Sequence, residues 1–293
     1  YKMVDTRVPG IDVSHWQGLV NWEQAKRNGA KFMFAKASQW RIDPKFKENW
    51  KNAKLAGLPR GAYHYLDWGL SELTQAKIFC DAMNGDWGEL PPVLDYEMNP
   101  LPFGLSADVA QGKAWNFVTE VEKITHKIPM IYTGYYHWND WGSNKSGWSR
   151  FPLWLPWYAS EWYIRLRTLA NTGTGAPKPW KQWTFWQRTD RANGTAYGCQ
   201  SLQVDENLFN GDEIALAQFC GGCLPTPVPL PVGLKFTLKN NANVRSGPST
   251  YYPVVRIEMA GAVITLKSTT VTNTYAQLVD GNWITFSFLS PSL

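Results

Sequence analysis

Short apolar runs alternate with amphipathic stretches along the first part of this chain, and this alternation limits the possible folds more than any other feature. Eight runs are interpreted as strands, near Gly10–Ser14, Lys31–Ser38, Gly61–Leu66, Pro92–Glu97, Pro129–Thr133, Pro152–Ala159, Trp183–Arg188 and Val204–Phe209. Several are apolar without interruption, which is typical of strands buried on both faces of a parallel sheet. Strands that alternate with helices predict an α/β fold, an irregular (β/α) TIM-like barrel of parallel strands.

The stretches between the apolar runs have the spacing of helices. They cover about Trp22–Asn28, Pro44–Ala56, Ser71–Met83 and Ala107–Thr125. In the longest of them, apolar residues recur at the period of an amphipathic helix. Gly29 and Gly57 stand where a glycine commonly ends a helix. The segment Tyr135–Arg150 is aromatic and irregular, so we expect little helix there and an irregular second half of the barrel.

The clearest break in the sequence is a proline-rich segment at residues 224–233. Proline occupies every second position from Pro225 to Pro231, a composition that favours an extended linker. We therefore predict a barrel domain over residues 1–223, the linker at 224–233 and a small domain over 234–293. The last part has no helical spacing and is predicted to be a small all-β barrel. Its expected strands are Phe236–Leu238, Val254–Ile257, Val263–Leu266, Ala276–Leu278 and Trp283–Phe288, separated by turn-forming segments.

Charge and composition narrow the possible partners. The net charge is +5, which suits a polyanion such as a bacterial wall or nucleic acid, or is ordinary surface charge. No basic block or nucleic-acid motif is present, so no nucleic-acid partner is expected. No apolar run reaches the roughly 18 residues that a membrane helix needs, so no membrane partner is expected. The 17 tryptophans suit stacking on sugar rings as well as packing in a core.

The four cysteines are Cys80, Cys199, Cys220 and Cys223. An even number suits an oxidising compartment, and three pairings are possible. The CxxC spacing of the last two also occurs in redox and zinc sites. Zinc needs two further ligands, and the sequence has no second CxxC and no HxxxH, so a disulfide or free thiols are expected before a metal. The chain begins at Tyr1, which a removed signal peptide or a chosen starting point would explain equally well.

Acidic residues fall at the predicted carboxyl ends of the strands, where the active site of such a barrel lies. Asp95 and Glu97 are the most informative pair, because residues i and i+2 of a strand face the same side, about 6.6 Å apart. Two such inward carboxylates repel each other, so one holds its proton more tightly. The pair then supplies an acid and a carboxylate at neutral pH, as glycoside hydrolysis requires. The alternative is a buried pair that serves a salt bridge, but no Lys or Arg lies in Pro92–Glu97 or its flanks.

The other polar groups at these strand ends are less specific. Asp12 and Asp205, taken alone, are equally well explained as a helix cap or surface acids. His15 and His64 are expected to be hydrogen-bonded rim residues rather than catalytic ones. No HExxH or similar spacing implies a metal, and no GxSxG, P-loop or GxGxxG implies other chemistry, so neither metal nor cofactor is expected.

An ordered set of motifs across the first 220 or so residues resembles glycoside hydrolase family 25, the Chalaropsis-type lysozymes. It consists of GIDVSHWQG at 10–18, FAKAS at 34–38, GAYHY at 61–65, PVLDYE at 92–97, IYT at 131–133, LW at 153–154 with Tyr158, WQ at 186–187 and VDEN at 204–207. The resemblance implies that Glu97 is the general acid and Asp95 the second carboxylate. Asp95 then either attacks the anomeric carbon or orients the acetamido group of the substrate for that attack.

The resemblance also implies roles for residues around this pair. Asp12 and Asp205 would tune its protonation and bind sugar. The groove would be lined by Tyr63, Tyr132, Trp157, Tyr158 and Gln187. Pro156 in the sixth strand is unusual for the family, and the aromatic sequence over Tyr135–Trp157 departs from its pattern along that wall.

The family resemblance implies a lysozyme that cleaves the β-1,4 bond between N-acetylmuramic acid and N-acetylglucosamine in peptidoglycan. The last 60 residues resemble a bacterial SH3 domain, through NVRSGPS at 243–249 and NWI at 282–284. Such a domain would bind wall peptides or other wall polymers. We expect a monomer that acts outside the cell, either secreted or released by a phage. Two alternatives are a non-catalytic wall-binding protein, against which the intact acidic pair argues, and a hydrolase of a related polymer such as chitin.

Overall fold

The computed structural model describes residues 7–97, 104–143, 145–158, 176–221, 235–247, 253–271, 275–285 and 289–291. The chain forms two compact units, one over Arg7–Asn210 and the other over the described residues from Gly211 onward. The predicted linker at 224–233 lies outside the described residues, so the predicted domain limits stay predictions. No helix of the described part has the length and apolar character needed to cross a membrane.

The first unit is built on a closed eight-stranded barrel, so the expected barrel and its eight strands are confirmed. In chain order the strands are β1 Val8–Val13, β2 Met33–Ser38, β3 Arg60–Tyr65, β4 Val93–Asp95, β5 Met130–Tyr132, β6 Leu153–Pro156, β7 Phe185–Asn193 and β8 Gln203–Phe209. From β1 to β7, each strand pairs in parallel with the next one along the chain.

The last strand departs from the expectation of an all-parallel barrel. Strand β8 pairs antiparallel with both β7 and β1. The connection from β7 to β8 covers only residues 194–202, whereas a parallel crossover needs about a dozen residues or more. The two strands therefore form a hairpin. As a consequence, β8 begins at the rim where the other strands end.

Helices cover the outside of the strands. They are α1 Trp22–Arg27, α2 Phe46–Leu55, α3 Glu72–Met83, α4 Ala107–Thr125 and α5 Tyr135–Trp141, with short 3-10 helices at His15–Gln17 and Ser146–Arg150. The first four occupy the stretches predicted from spacing. Helix α5 lies where little helix was expected, and that expectation was wrong. Aromatic residues form helices weakly on their own, but His137 and Trp138 are buried here, and the Trp138 ring contacts those of Trp148 and Trp180.

Helix α4 illustrates why the spacing was sufficient for the first four helices. The Ser106 side chain accepts a hydrogen bond from the Val109 N–H and so caps the helix. The buried face repeats at helical spacing and consists of Ala110, Ala114, Phe117, Val118, Val121 and Thr125. The Phe117 ring stacks on His64 of β3 with 4.8 Å between ring centroids. Burial of such a side chain contributes about 1.5–3 kcal/mol, which fastens the helix to the strand.

Aromatic rings fill the barrel below the carboxyl ends of strands β1 to β7. They are Phe32, Phe34, Trp154, Phe185 and Phe209, all buried. The rings of Phe34 and Trp154 stack at 4.4 Å. Gly61 leaves room for this packing, because a Cβ at that position would lie 2.2 Å from the Phe34 ring. The aromatic layer forms an apolar floor under the polar groups at the strand ends.

The second unit contains helix α6 Glu213–Phe219 and a seven-stranded sheet. Its strands are β9 Lys235–Leu238, β10 Ala242–Arg245, β11 Val254–Glu258, β12 Val263–Val271, β13 Tyr275–Leu278, β14 Trp283–Thr285 and β15 Leu289–Pro291, in the order β11-β10-β14-β13-β12-β9-β15. Strand β10 occupies a segment that was expected to be a turn, because the buried Ala242 and Val244 alternate with polar residues. The β character of this region agrees with expectation, while its assignment to the bacterial SH3 fold stays a prediction.

Two of the four cysteines lie in the barrel unit. Cys80 and Cys199 are both buried and form no disulfide with any residue that the structure describes. Burial raises the pKa of each thiol to about 12, so both stay protonated at neutral pH. For these two residues the open choice between disulfide and thiol is resolved as thiol. Cys223 lies outside the described residues.

Candidate active site

The register of the barrel places a group of polar side chains on its inner face, above the aromatic floor. Paired residues of neighbouring strands point to the same side of the sheet. Asp12 pairs with Phe34 of the floor and, on its other side, with Asp205. Lys36 pairs with Tyr63 in the same way. The inward polar residues are Asp12, Lys36, Tyr63, Tyr65, Asp95, Tyr132, Gln187, Asp205 and Asn207.

Asp12 lies at the centre of this group. It is 4% exposed, and its Oδ1 accepts hydrogen bonds from Gln187 Nε2 at 2.9 Å and from Asn207 Nδ2 at 2.7 Å. The amide of Asn207 is held by Trp154, whose indole N–H donates to Asn207 Oδ1 at 2.7 Å. Asn207 was part of a sequence motif but was not expected in the site. Two amide donors on one oxygen fix the carboxyl of Asp12 in place.

Two tyrosines orient the Gln187 amide. The hydroxyls of Tyr132 and Tyr158 donate to Gln187 Oε1 at 2.8 and 2.7 Å, so the amide nitrogen faces Asp12. Burial raises the pKa of both phenols, which therefore remain hydrogen-bond donors. Tyr132 is buried, whereas Tyr158 is 54% exposed and lies at the mouth of the site. Three of the predicted groove residues are thus joined in one hydrogen-bond network with Asp12.

Asp12 and Asp205 form a pair of neighbouring carboxyl groups. They lie directly opposite each other in the β1–β8 pairing, and their carboxyls are hydrogen-bonded. Burial is the main cause that raises the pKa of both, and the charge of Asp12 further raises the pKa of Asp205 to about 9. The hydrogen bond itself lowers the pKa of Asp12 and raises that of Asp205. With a pKa of about 9, Asp205 is protonated at neutral pH and can donate this hydrogen bond to Asp12.

Asp95 ends strand β4 and faces into the barrel, where it is 6% exposed. Burial raises its pKa well above the usual range, and the charge of Glu97 adds to that effect. Its Oδ1 is buried and has no hydrogen-bond partner among the residues that the structure describes. A buried carboxyl oxygen without a partner is costly, and such an atom in a site is available to a ligand.

Glu97 lies beyond the strand in which it was expected, because β4 ends at Asp95. The intervening Tyr96 faces outward, and its hydroxyl donates to Trp141 O at 2.8 Å. The backbone N–H of Tyr96 donates to Tyr132 O at 2.8 Å, which prolongs the alignment with β5 by one residue. Glu97 is exposed to solvent, yet desolvation by the surrounding protein raises its pKa to about 7, with the charge of Asp12 as the next cause.

Lys36 was missed in the sequence, where a neutralising cation was sought only beside Asp95 and Glu97. It reaches the site from strand β2, and its charge lowers the pKa of both acids. Its Nζ donates to Gln39 Oε1 at 3.1 Å and lies 4.8 Å from the centroid of the Tyr65 ring. A lysine at alternating spacing within the apolar run FAKAS was the available signal, since it indicates an inward charge.

The remaining predicted residues lie in different surroundings. Tyr63 faces inward, and its ring meets the edge of Trp154 at 6.1 Å. Trp157 packs against the hydrophobic core, with its ring 5.8 Å from Tyr135, and its backbone N–H donates to Gln187 O. His64 is not at the rim, as was expected, but behind the barrel wall. It is hydrogen-bonded there, and burial lowers its pKa to about 4.

The arrangement as a whole has the features of a glycoside hydrolase. Several carboxylic acids of unequal proton affinity meet at the catalytic end of an α/β barrel, next to tyrosine hydroxyl donors. Among the described residues, no group of three or more His, Cys, Asp or Glu is placed to hold a metal ion.

Comparison with known proteins identifies the family. Residues 11–195 match the family described as glycosyl hydrolases family 25, and the chain belongs to this family and is a glycoside hydrolase. It is 34% identical to Lysozyme M1 of Streptomyces globisporus over 220 residues, which cover 71% of this chain and 70% of that protein. It is 34% identical to the protein YegX of Escherichia coli O157:H7 over 229 residues, 75% of this chain and 76% of that protein.

The fold comparison agrees with the sequence comparison. The bacterial lysozyme of Streptomyces coelicolor superposes with a TM-score of 0.62 at 30% identity, over 73% of this chain and 96% of the other. The family match ends at residue 195, so it leaves the C-terminal sheet unassigned.

Proposed function

We propose that this chain is a lysozyme that hydrolyses the β-1,4 bonds between N-acetylmuramic acid and N-acetylglucosamine in bacterial peptidoglycan. One observation carries the proposal. Glu97, with a pKa of about 7, stands beside the buried Asp95, whose Oδ1 has no partner among the described residues. This pair occurs in a family 25 barrel whose relatives include proteins named lysozyme and N,O-diacetylmuramidase.

Glu97 is the general acid in this proposal. A pKa of about 7 leaves a large fraction of the carboxyl protonated at neutral pH, so it can protonate the leaving glycosidic oxygen. Its exposure at the mouth of the site suits contact with that oxygen and, later, with the attacking water. In the second half of a retaining reaction the same group returns as the base that activates this water.

Asp95 is the second carboxylate. Its buried position and partnerless oxygen suit a group that acts on the sugar rather than on the protein. It either attacks the anomeric carbon directly or accepts the N–H of the substrate acetamido group, whose oxygen then attacks. Both routes require Asp95 to be ionised. The charge of Lys36 favours that form against the larger opposing effect of burial, and a protonated Glu97 removes the opposing charge of Glu97.

Asp12 and Asp205 adjust the protonation of this pair. The charge of Asp12 raises the pKa of Glu97, which keeps the acid protonated until the reaction begins. The proton on Asp205 and the two amide donors hold Asp12 in a fixed geometry. The hydroxyl of Tyr63 lines the groove as a donor to sugar oxygens, and that of Tyr158, whose proton is donated to Gln187, lines it as an acceptor from sugar hydroxyls.

Digestion of purified peptidoglycan, followed by mass analysis of the products, tests the proposal. We expect new reducing ends on N-acetylmuramic acid, since that sugar lies on the anomeric side of the bond cleaved. The Glu97→Gln variant, handled in parallel, is the control for contaminating activity. Reducing ends on N-acetylglucosamine would contradict the proposed bond, and cleavage of chitin without cleavage of peptidoglycan would contradict the proposed polymer.

We further propose that residues 234–293 form a bacterial SH3-like domain that binds wall peptides or polymers, and that the protein acts outside the cell as a monomer. Apolar side chains on and beside strand β11 are exposed and available for contact, namely Val254, Val255, Ile257 and Met259. Removal of residues 226–293 should weaken binding to intact walls and leave the cleavage of short soluble glycans unchanged. Loss of that cleavage would place part of the second unit in the active site.

A further inference from the structure

Two tryptophans are exposed on neighbouring loops at the catalytic end of the barrel. Trp16 follows β1 and is 76% exposed, and Trp40 follows β2 and is 51% exposed. The two strands are parallel, with Val13 opposite Ala35, so both loops leave the barrel at the edge where Asp12 lies. An exposed indole forgoes the roughly 1.5–3 kcal/mol that burial of a large apolar side chain contributes, so two of them on neighbouring loops require an explanation.

The loop of Trp16 is tied to the loop of Trp40 through one buried carboxylate. His15 Nδ1 donates to Asp43 Oδ2 at 2.6 Å, and the His15 backbone N–H donates to the same oxygen at 3.2 Å. The His15 ring supports the Trp16 ring, with 4.6 Å between centroids. Asp43 is itself fixed, since its N–H donates to Ala37 O at 2.9 Å. The orientation of Trp16 therefore depends on the contact between His15 and Asp43, in which neither Asp95 nor Glu97 takes part.

The second loop is folded as a tight turn that presents Trp40. Ser38 and Ile42 form a β-bridge across the turn, and the Gln39 N–H donates to Arg41 O at 3.0 Å. The Arg41 guanidinium packs on Trp40 at 4.2 Å from the ring centroid. This cation–π contact stiffens the indole and adds a positive charge beside it. Both tryptophans are thus held in place although neither is buried.

We propose that Trp16 and Trp40 form a stacking surface for sugar rings of the substrate strand that lie away from the bond being cleaved. The inference rests on the proposed function and names a further part of the same site. The two tryptophans follow the strands that carry residues of the acidic group, which indicates that the same glycan strand occupies both places. Trp16 lies four positions after Asp12, and Trp40 four positions after Lys36, which acts on Asp95 and Glu97. The C–H faces of sugar rings are apolar and stack on indoles, and Arg41 complements the carboxylate that muramic acid carries where no peptide is attached.

The test compares glycan strands of different length, prepared free of peptides from peptidoglycan. For Trp16→Ala and Trp40→Ala we expect KM on long strands to rise about tenfold, while kcat/KM on the shortest cleavable glycan stays within about twofold. Trp16→Phe should keep much of the long-strand affinity. His15→Ala should raise KM on long strands without lowering kcat, as expected for a residue that positions Trp16.

Leu55 supplies a matched control, because it is 76% exposed like Trp16 but ends helix α2 at the opposite end of the barrel. Leu55→Ala should leave KM and kcat/KM unchanged on both the long strands and the short glycan. Equal losses on short and long glycans, no loss on either, or a loss confined to peptide-bearing strands would each overturn the inference. A wild-type dimer that both alanine variants dissociate would overturn it too. If the wild-type protein cleaves no peptidoglycan at all, it is the proposed function that fails.

Discussion

The Asp12→Asn substitution should move the alkaline limb of the pH–activity profile to lower pH. Glu97 must carry a proton to protonate the leaving oxygen, so activity falls as the pH rises through its pKa. Burial first, and the charge of Asp12 second, raise this pKa from its ordinary value of 4.5 to about 7. Without the Asp12 charge the contribution of burial remains, so the pKa of Glu97 should fall by about one unit, or about 1.4 kcal/mol of proton affinity.

Lys36→Met supplies the matched perturbation of opposite sign. The charge of Lys36 lowers the pKa of Glu97, so its removal should raise that pKa and move the alkaline limb to higher pH. The measurement is kcat/KM on a soluble glycan over about pH 4 to 9, which reports the free enzyme. The NMR titration of the Glu97 side-chain carboxyl gives the same pKa independently of turnover. Shifts of the same sign in both variants, or no shift in either, would refute the electrostatic assignment.

Further consequences concern the acid, the second carboxylate, the barrel floor and metal dependence. Glu97→Gln should abolish turnover and keep glycan binding by calorimetry, because the shape stays and the proton is lost; an active variant would exclude this acid. A strand whose muramic acid lacks its N-acetyl group should resist cleavage if the acetamido group attacks, and be cleaved if Asp95 does. Gly61→Ala should lower the free energy of unfolding by about 1–3 kcal/mol in urea denaturation, because its Cβ would lie 2.2 Å from Phe34; an unchanged midpoint would show that the floor relaxes freely. Treatment with a chelator should leave hydrolysis unchanged, and inactivation reversed by added metal would contradict the assignment of a purely acid–base site.

The elements that sequence patterns predicted well are those in which local spacing and burial agree. The eight apolar runs became the eight strands, and helix α4 spans the same residues, Ala107–Thr125, as the amphipathic pattern. In such segments the period of the apolar residues already matches the period of the backbone. The segment Tyr135–Trp141 was mispredicted because its helix depends on tertiary packing of aromatic rings and not on propensity.

Strand β8 was predicted correctly as a strand, but its direction was not. Its apolar run was recognised, but its orientation followed from the short connection after β7, which favours a hairpin. The consequence reaches the candidate site. Because β8 starts at the catalytic rim, Asp205 lies near the beginning of its strand and opposite Asp12.

The sequence by itself determined the strand and helix pattern, the family motifs and the candidate acids, because these depend on the order of residues over short stretches. Only the tertiary structure decided the proton affinities of those acids. Asp12 meets Asn207 from 195 positions away, and Lys36 reaches Asp95 and Glu97 from another strand. Burial and nearby charges determine the pKa of a carboxyl group. Closure of the barrel desolvates Glu97 and brings the charges of Asp12 and Lys36 close to it.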